Sequence, residues 1–187
     1  MSEIALRRLA SQRLVGPPLS DPAEVVRRSG AVQAQDYPAA KWAVAQRTEA
    51  AVDGDLDRAF NAGEIVRTHM LRPTWHFVAP EDIRWIQELT APRVHATNAF
   101  IYRQQELDAR LLKEIDRMLA RFLAGAVYLT RSEVATRLEE AGIAAARIRL
   151  AYMVMHAEPN AVVCSGPVRG RHHTYALLDE RVPATRR

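Results

Sequence analysis

Apolar residues near the amino terminus recur at helical spacing, at Ile4, Leu6, Leu9 and Leu14, and Gly16, Pro17 and Pro18 stop the run. The same period predicts a second helix between Asp21 and Gly30, with Asp21 suited to the N-cap, Pro22 to the first turn and Gly30 to the terminator. Asp36 can cap a third helix over residues 37–47, with Trp42 and Ala43 among its inward candidates. A short fourth helix follows and is closed by Gly63. From Glu64 the period shortens. Two β-prone runs, 65–70 and 74–78, flank Arg72 and Pro73 and predict a hairpin.

The second half repeats this order. Helical stretches over 80–89 and 91–104 lead into a longer one whose Leu111, Leu112, Ile115, Met118, Leu119 and Phe122 form an apolar stripe. A short strand near Leu129 precedes a capping box of Thr130 and Glu133, and the helix it opens ends at Gly142. A further helix over 144–158 carries Met153, Val154 and Met155 as core candidates, and a strand, a Gly/Pro-rich loop and a strand close the pattern. Helices placed before a two-stranded ribbon give the order of a winged helix, a helix-turn-helix variant whose hairpin is the wing. The predicted fold is mainly α with small β-hairpins (α+β), in tandem winged-helix modules. The expected divisions are a first module with its leading helix over 1–79, connecting helices over 80–125 and a second module over 126–187.

Composition narrows the class. At 187 residues and 48% hydrophobic content the chain can bury a real core as one or two small domains. No apolar run approaches the roughly 18 residues of a membrane span, and the first residues lack the apolar core and cleavage site of a signal peptide, so a cytoplasmic protein without membrane contact is expected. Cys164 is the single cysteine, which excludes an internal disulfide and a cysteine-based zinc site. His172 and His173 lack an obvious third ligand, and no phosphate-cradling glycine loop or dinucleotide fingerprint is present, so no metal and no cofactor are predicted. Basic residues exceed acidic ones by four, and all but Lys41 and Lys113 are arginine. The arginine fork suits phosphates and base edges, although a GC-rich coding bias produces the same usage.

Candidate chemistry falls on a few residues. Gln33 and Gln35 sit either side of Ala34 in an apolar setting, and in an extended segment both amides point to one side. Such a pair is either a site or a structural network in which one amide bonds backbone and the other faces water. Asp36 can act as a base or as the helix cap. On the hairpin, alternation places His76 with Thr74 on one face and Trp75 with Phe77 on the other, and His76 can hold a water, meet a phosphate or serve structurally. Arg67, His69, Arg72 and His76 make the first hairpin basic; Arg169, Arg171, His172 and His173 do the same for the second, and Arg147 and Arg149 remain for DNA on the second recognition helix. Basic wings suit phosphate contacts without sequence readout, the bland alternative being solvated hairpin tips.

The blocks GAVQAQDYPAAKWAVAQR, IVRTHMLRPTWHFVAPEDIRW, LTRSEVATRLEEAG and VCSGPVRGRHHTYALLDERVP, in that order, resemble the winged-helix family that contains the AlkZ and YcaQ DNA glycosylases. In that family a Gln-x-Gln or Gln-x-Asp motif is associated with removing alkylated bases and unhooking interstrand crosslinks, and Gln33-Ala34-Gln35 matches the first form. The resemblance implies double-stranded DNA, alkylated or crosslinked, as partner, with Gln33 and Gln35 at the reacting centre; His76, read from the hairpin alone, is a secondary catalytic candidate beside them. A guanine alkylated on its imidazole ring is already cationic, so its loss needs little acid help, and two amides that orient water and place dipoles near developing charge suffice. Relatives continue into a third winged helix and a small β domain, so the chain is expected to lack the family's carboxy-terminal part. The alternative is a non-catalytic winged-helix DNA-binding or regulatory protein.

Overall fold

A computed structural model describes residues 2–182. The chain begins with α1 (Glu3–Ser11), which buries no residue, and continues through α2 (Pro22–Ser29), β1 (Ala31–Gln33), α3 (Tyr37–Ala45), α4 (Asp53–Ala62), β2 (Val66–Met70) and β3 (Thr74–Val78). The long helix α5 (Ile83–Gln104) leads to α6 (Ala109–Leu123), β4 (Leu129–Thr130), α7 (Arg131–Glu140), α8 (Arg147–Ala157), β5 (Val163–Ser165), β6 (Thr174–Leu177) and the single turn α9 (Leu178–Arg181). From α2 to β3, and again from α6 to β6, the order is helix, strand, helix, helix, strand, strand. In each unit the last strand is central: the sheets read β1-β3-β2 and β4-β6-β5, all antiparallel. This is the winged-helix topology, present twice.

Local chemistry starts and stops these helices where the sequence indicates. The side chains of Asp21, Asp36 and Thr130 accept the backbone N–H of Glu24, Ala39 and Glu133, and Glu133 returns a carboxylate oxygen to the Thr130 N–H at 2.7 Å. Gly30 ends α2 with φ +71°, a conformation that penalises any Cβ.

Three expectations change. Trp42 is 67% exposed, while Lys41 turns inward beside it and pairs with Asp53 and Asp57 at 2.7 and 2.9 Å. The stretches 80–89 and 91–104 fuse into α5, whose buried Ile83, Ile86, Gln87, Val94, Asn98 and Tyr102 carry one face past an exposed Pro92. Helix α6 is the first helix of the second unit: its Leu112, Ile115, Met118, Leu119 and Leu123 share a core with Leu129, Val134, Leu138, Leu150 and Met153. We therefore place the connecting segment at α5.

The two units are welded along their sheet edges. Val66, Met70 and Val78 join Ile83 and Ile86 of α5 and Cys164, Ala176 and Leu178 of the second unit in a shared apolar cluster. The Arg67 N–H donates to Ser165 Oγ at 2.8 Å. His69 Nδ1 pairs with the carboxylate of Glu158, whose side chain is 0% exposed, and Gln87 Nε2 donates to the Glu158 carbonyl at 2.6 Å. A carboxylate sealed this way costs several kcal/mol unless it is paired, so removing one partner of the pair is expensive. Glu158→Ala is expected to lower unfolding free energy by about 3 to 5 kcal/mol, and Glu158→Gln, which retains a neutral hydrogen bond to His69, by less. Urea denaturation of the two variants checks the order.

Candidate active site and nucleic-acid groove

The glutamine segment is built on the edge of the first sheet. In register, Gln33 lies opposite His76, which lies opposite Thr68, so Gln33 and His76 share a sheet face with Cβ atoms roughly 5 Å apart. Gln33 and Gln35 are exposed and Ala34 between them is fully buried, as an extended path requires. Beyond Gln33 the ladder continues for one bond, Ala34 N–H to the Trp75 carbonyl at 2.7 Å. The reciprocal bond is missing; the Ala34 carbonyl accepts from Arg67 Nε at 3.0 Å, with Nη2 reaching the Gln35 carbonyl at 3.4 Å. Trp75 N–H donates instead to Gln35 Oε1 at 3.2 Å. Gln33 also lines a surface groove of about 390 Å³ with Ser11, Gln12, Arg28 and Arg47.

His76 is nearly buried, and its Nδ1–H donates to the Thr74 carbonyl at 2.9 Å. That bond fixes the proton on Nδ1 and leaves Nε2 as the basic nitrogen. Burial lowers its pKa, helped by the nearby His69 and Arg72 and opposed by the Thr74 carbonyl, so the imidazole is neutral at neutral pH. Asp36 caps α3 through Ala39 N–H at 3.0 Å.

A cavity of about 700 Å³ opens where the two units meet. Arg67, Arg147, Arg171, His172 and His173 line it together with Arg131, against the single acid Glu139. Trp75, Tyr175 and Leu150 contribute its apolar wall. The starts of α7 and α8 also lie on it, at Arg131, Ser132 and Arg147, and helix starts favour anions.

The basic residues differ in their surroundings, inside the cavity and out. Arg67, expected on an open hairpin surface, is 7% exposed; its guanidinium is 4.3 Å from the Trp75 ring centre and 5.7 Å from that of Tyr37. His69 is buried against Glu158. Arg149 is spent on backbone, donating to the carbonyls of Ala144 at 3.0 Å and of Gln105. Arg169 pairs with Glu133, whose pKa is held down to about 2 by the Thr130 N–H and by Arg169. Arg72 is exposed at the β2–β3 turn and does not line the cavity. His173 packs edge-on to Tyr37, centroids 4.6 Å apart, and its desolvation lowers its pKa, with Arg67 adding to the effect.

The sequence reading missed Arg131, hidden inside a capping motif, and Trp75, whose place on the hairpin face opposite His76 was noted without a role. Among the described residues no group of three His, Cys, Asp or Glu side chains is placed to hold a metal ion, and no helix is long and apolar enough to cross a membrane.

Two winged helices sharing a basic cavity define a tandem winged-helix protein. The chain belongs to the AlkZ-like DNA glycosylase family, whose model matches residues 26–187. Among solved structures, the Streptomyces sahachiroi DNA glycosylase AlkZ superposes with a TM-score of 0.78 at 24% identity over 95% of this chain and 49% of that one. The chain thus spans about half of that relative's length, and the likeness is one of fold. No curated protein matches it.

Burial sets the pH response of the site. Unfolded histidine titrates near 6.5, and His76 does so lower when folded. As pH falls below about 6.5 the unfolded chain takes up a proton that the folded chain refuses, so His76 makes stability decline toward acid, by at most about 1.4 kcal/mol per pH unit. His76→Asn is expected to flatten the loss of stability between pH 7.5 and 5.5, as measured by urea denaturation at each pH; an unchanged slope refutes the assignment.

Proposed function

We propose that the chain binds double-stranded DNA through the basic cavity between its winged helices and hydrolyses the glycosidic bond of purines alkylated on the imidazole ring. The observation that supports this most is the cross-strand pair of Gln33 and His76, an exposed amide beside a neutral imidazole whose Nδ1 is committed and whose Nε2 is free to accept a proton. Family membership adds the reaction class.

In this reading Gln33 orients a water and His76 Nε2 receives its proton as the water oxygen bonds to C1′ of the sugar. The C1′–N9 bond breaks and its electron pair neutralises the cationic base, which departs without further protonation. The same step on either tethered purine of an alkyl crosslink would unhook it. Undamaged purines lack the positive charge, and an amide is too weak to supply the missing acid, so selectivity follows from the chemistry of the lesion. Action on DNA in the cytoplasm accords with this reading.

A non-catalytic DNA-binding role is the second reading, favoured by one observation: Gln35 already bonds backbone at Trp75. The deciding assay uses duplex carrying a ring-alkylated guanine, with base treatment to reveal abasic sites and undamaged duplex as control. Release by the parent, reduced about a hundredfold or more in Gln33→Ala with melting temperature preserved, supports catalysis. A folded parent that binds DNA and releases no base leaves the binding role.

Binding has its own signature. Each phosphate contact releases counterions, so affinity should fall steeply as salt rises. Replacing Arg131 and Arg171 with alanine is expected to reduce the slope of log affinity against log salt by about 2. Titration at several salt concentrations measures this, and an unaltered slope removes both residues from the interface.

A further inference from the structure

The first residues of α8 line the basic cavity between the units; its far end borders a second cavity, of about 860 Å³, between α5, α6 and α8. The two cavities share no lining residue. His95, Ala99 and Arg103 follow one another at four-residue intervals on α5, as do Leu112 and Asp116 on α6, so each helix turns one face to this space. The chain reverses between the two helices, and their faces form a trough roughly 12 Å long from His95 to Arg103.

Polar side chains gather at one end of the trough and fix one another's hydrogens. Asn98 Nδ2 donates to the Tyr102 hydroxyl at 3.5 Å, and His95 Nε2 faces Asn160 Oδ1 at 2.9 Å. An amide oxygen only accepts, so His95 carries its proton on Nε2, and its Nδ1 takes the Tyr102 O–H at 3.3 Å. Burial lowers the His95 pKa against the pull of the Asn160 bond, which keeps the ring neutral. Asn160 Nδ2 donates to Asp116 Oδ2, and His156 Nδ1 donates to Asp116 Oδ1, both at 3.1 Å. His156 is left with the in-plane lone pair of Nε2. Asn160 Nδ2, at 3.1 and 3.3 Å from the two ring nitrogens, lies over the ring face, because an in-plane position at those distances would collide with Cε1. The cluster therefore presents one acceptor, oriented by a carboxylate.

Charge is distributed differently. Asp108 accepts the Leu111 N–H as the α6 cap, and Asp116 is engaged by His156 and Asn160. Arg103 and Lys113 line the same cavity, are exposed and enter no ion pair among the described residues. Leu107, Leu112 and Val162 supply apolar wall. A few convergent polar groups on an apolar trough are what a small-molecule site requires. We infer that this cavity binds a small aromatic acid, with its ring on the apolar wall, a hydroxyl or N–H donor at His156 Nε2 and its carboxylate beside Arg103 and Lys113. The site is independent of the glycosylase reading and of the DNA surface.

Isothermal titration calorimetry of the full chain with three probes tests each contact. The probes are para-hydroxyphenylacetate, phenylacetate, which lacks the donor, and tyramine, which carries an amine in place of the carboxylate. The first is expected to bind, phenylacetate about tenfold more weakly, and tyramine more weakly still. Ala99→Trp, which fills the trough, should remove binding with melting temperature preserved. Arg103→Ala combined with Lys113→Ala, both at exposed positions, should weaken both acids several-fold. His156→Phe should bring para-hydroxyphenylacetate down to the affinity of phenylacetate and leave phenylacetate unchanged. Saturating duplex DNA should displace neither acid. The inference is overturned if the parent binds no acid, if tyramine matches the acids, so that Asp108 and Asp116 set the charge, or if a folded Ala99→Trp binds like the parent. Unaltered affinity for para-hydroxyphenylacetate in His156→Phe overturns the placement of the donor, and displacement by duplex overturns the separateness of the site. If Ala99→Trp or His156→Phe does not fold, the ranking of probes in the parent and the double alanine variant decide.

Discussion

Glu158 stands at the C-cap of α8 and carries a carboxylate that water cannot reach; burial pushes its pKa up while His69 and Arg67 pull it down. Its partner His69 belongs to the other winged helix, 89 residues earlier. Either group alone would be a buried polar orphan, so the two units satisfy each other only in one arrangement. The remaining bonds across the seam depend on that fit. Gln87 bridges Thr68 and the Glu158 carbonyl, Ser165 takes the Arg67 N–H, and Arg181 donates to the carbonyls of Phe60 and Asn61 at 2.6 and 2.9 Å. An isolated three-stranded sheet would leave edge groups open to foreign strands. Here β2 and β5 lie edge against edge and protect each other.

This junction also decides what the basic residues are for. Arginine on a wing is ordinarily a phosphate contact, but Arg67 lies at the seam, where two aromatic rings and two carbonyls replace its water. Burial lowers its pKa, with Glu158 opposing; an arginine remains cationic under such a shift. The cavity beside it is correspondingly positive, and Arg131, Arg147 and Arg171 enlarge that field from the second unit.

The architecture was readable because most of its signals are local. Asp21, Asp36 and the Thr130–Glu133 box act within one helical turn, and the change of period at Glu64 is visible over a few residues. Signals failed where a distant partner prevails. Pro92 normally ends a helix, yet it faces solvent while Val94 and Asn98 anchor the next turns in the interior. Trp42 belongs inside on hydrophobicity, but Lys41 takes the inward place because Asp53 and Asp57 of the next helix neutralise it. The candidate site divides in the same way. The Gln33–His76 pairing follows from strand register, whereas the burial of Arg67 and His69 depends on Ser165 and Glu158, which no pattern within the hairpin announces.

Arg67 and Trp75 line the cavity between the units and also hold Gln35. The main chain of the motif is held within the first unit, by Arg67 at the carbonyls of Ala34 and Gln35, and the second unit meets the same arginine where Ser165 Oγ accepts its backbone N–H. The motif and the cavity thus share Arg67 and Trp75, so the packing that seats these two side chains shapes both the edge strand and the wall of the cavity.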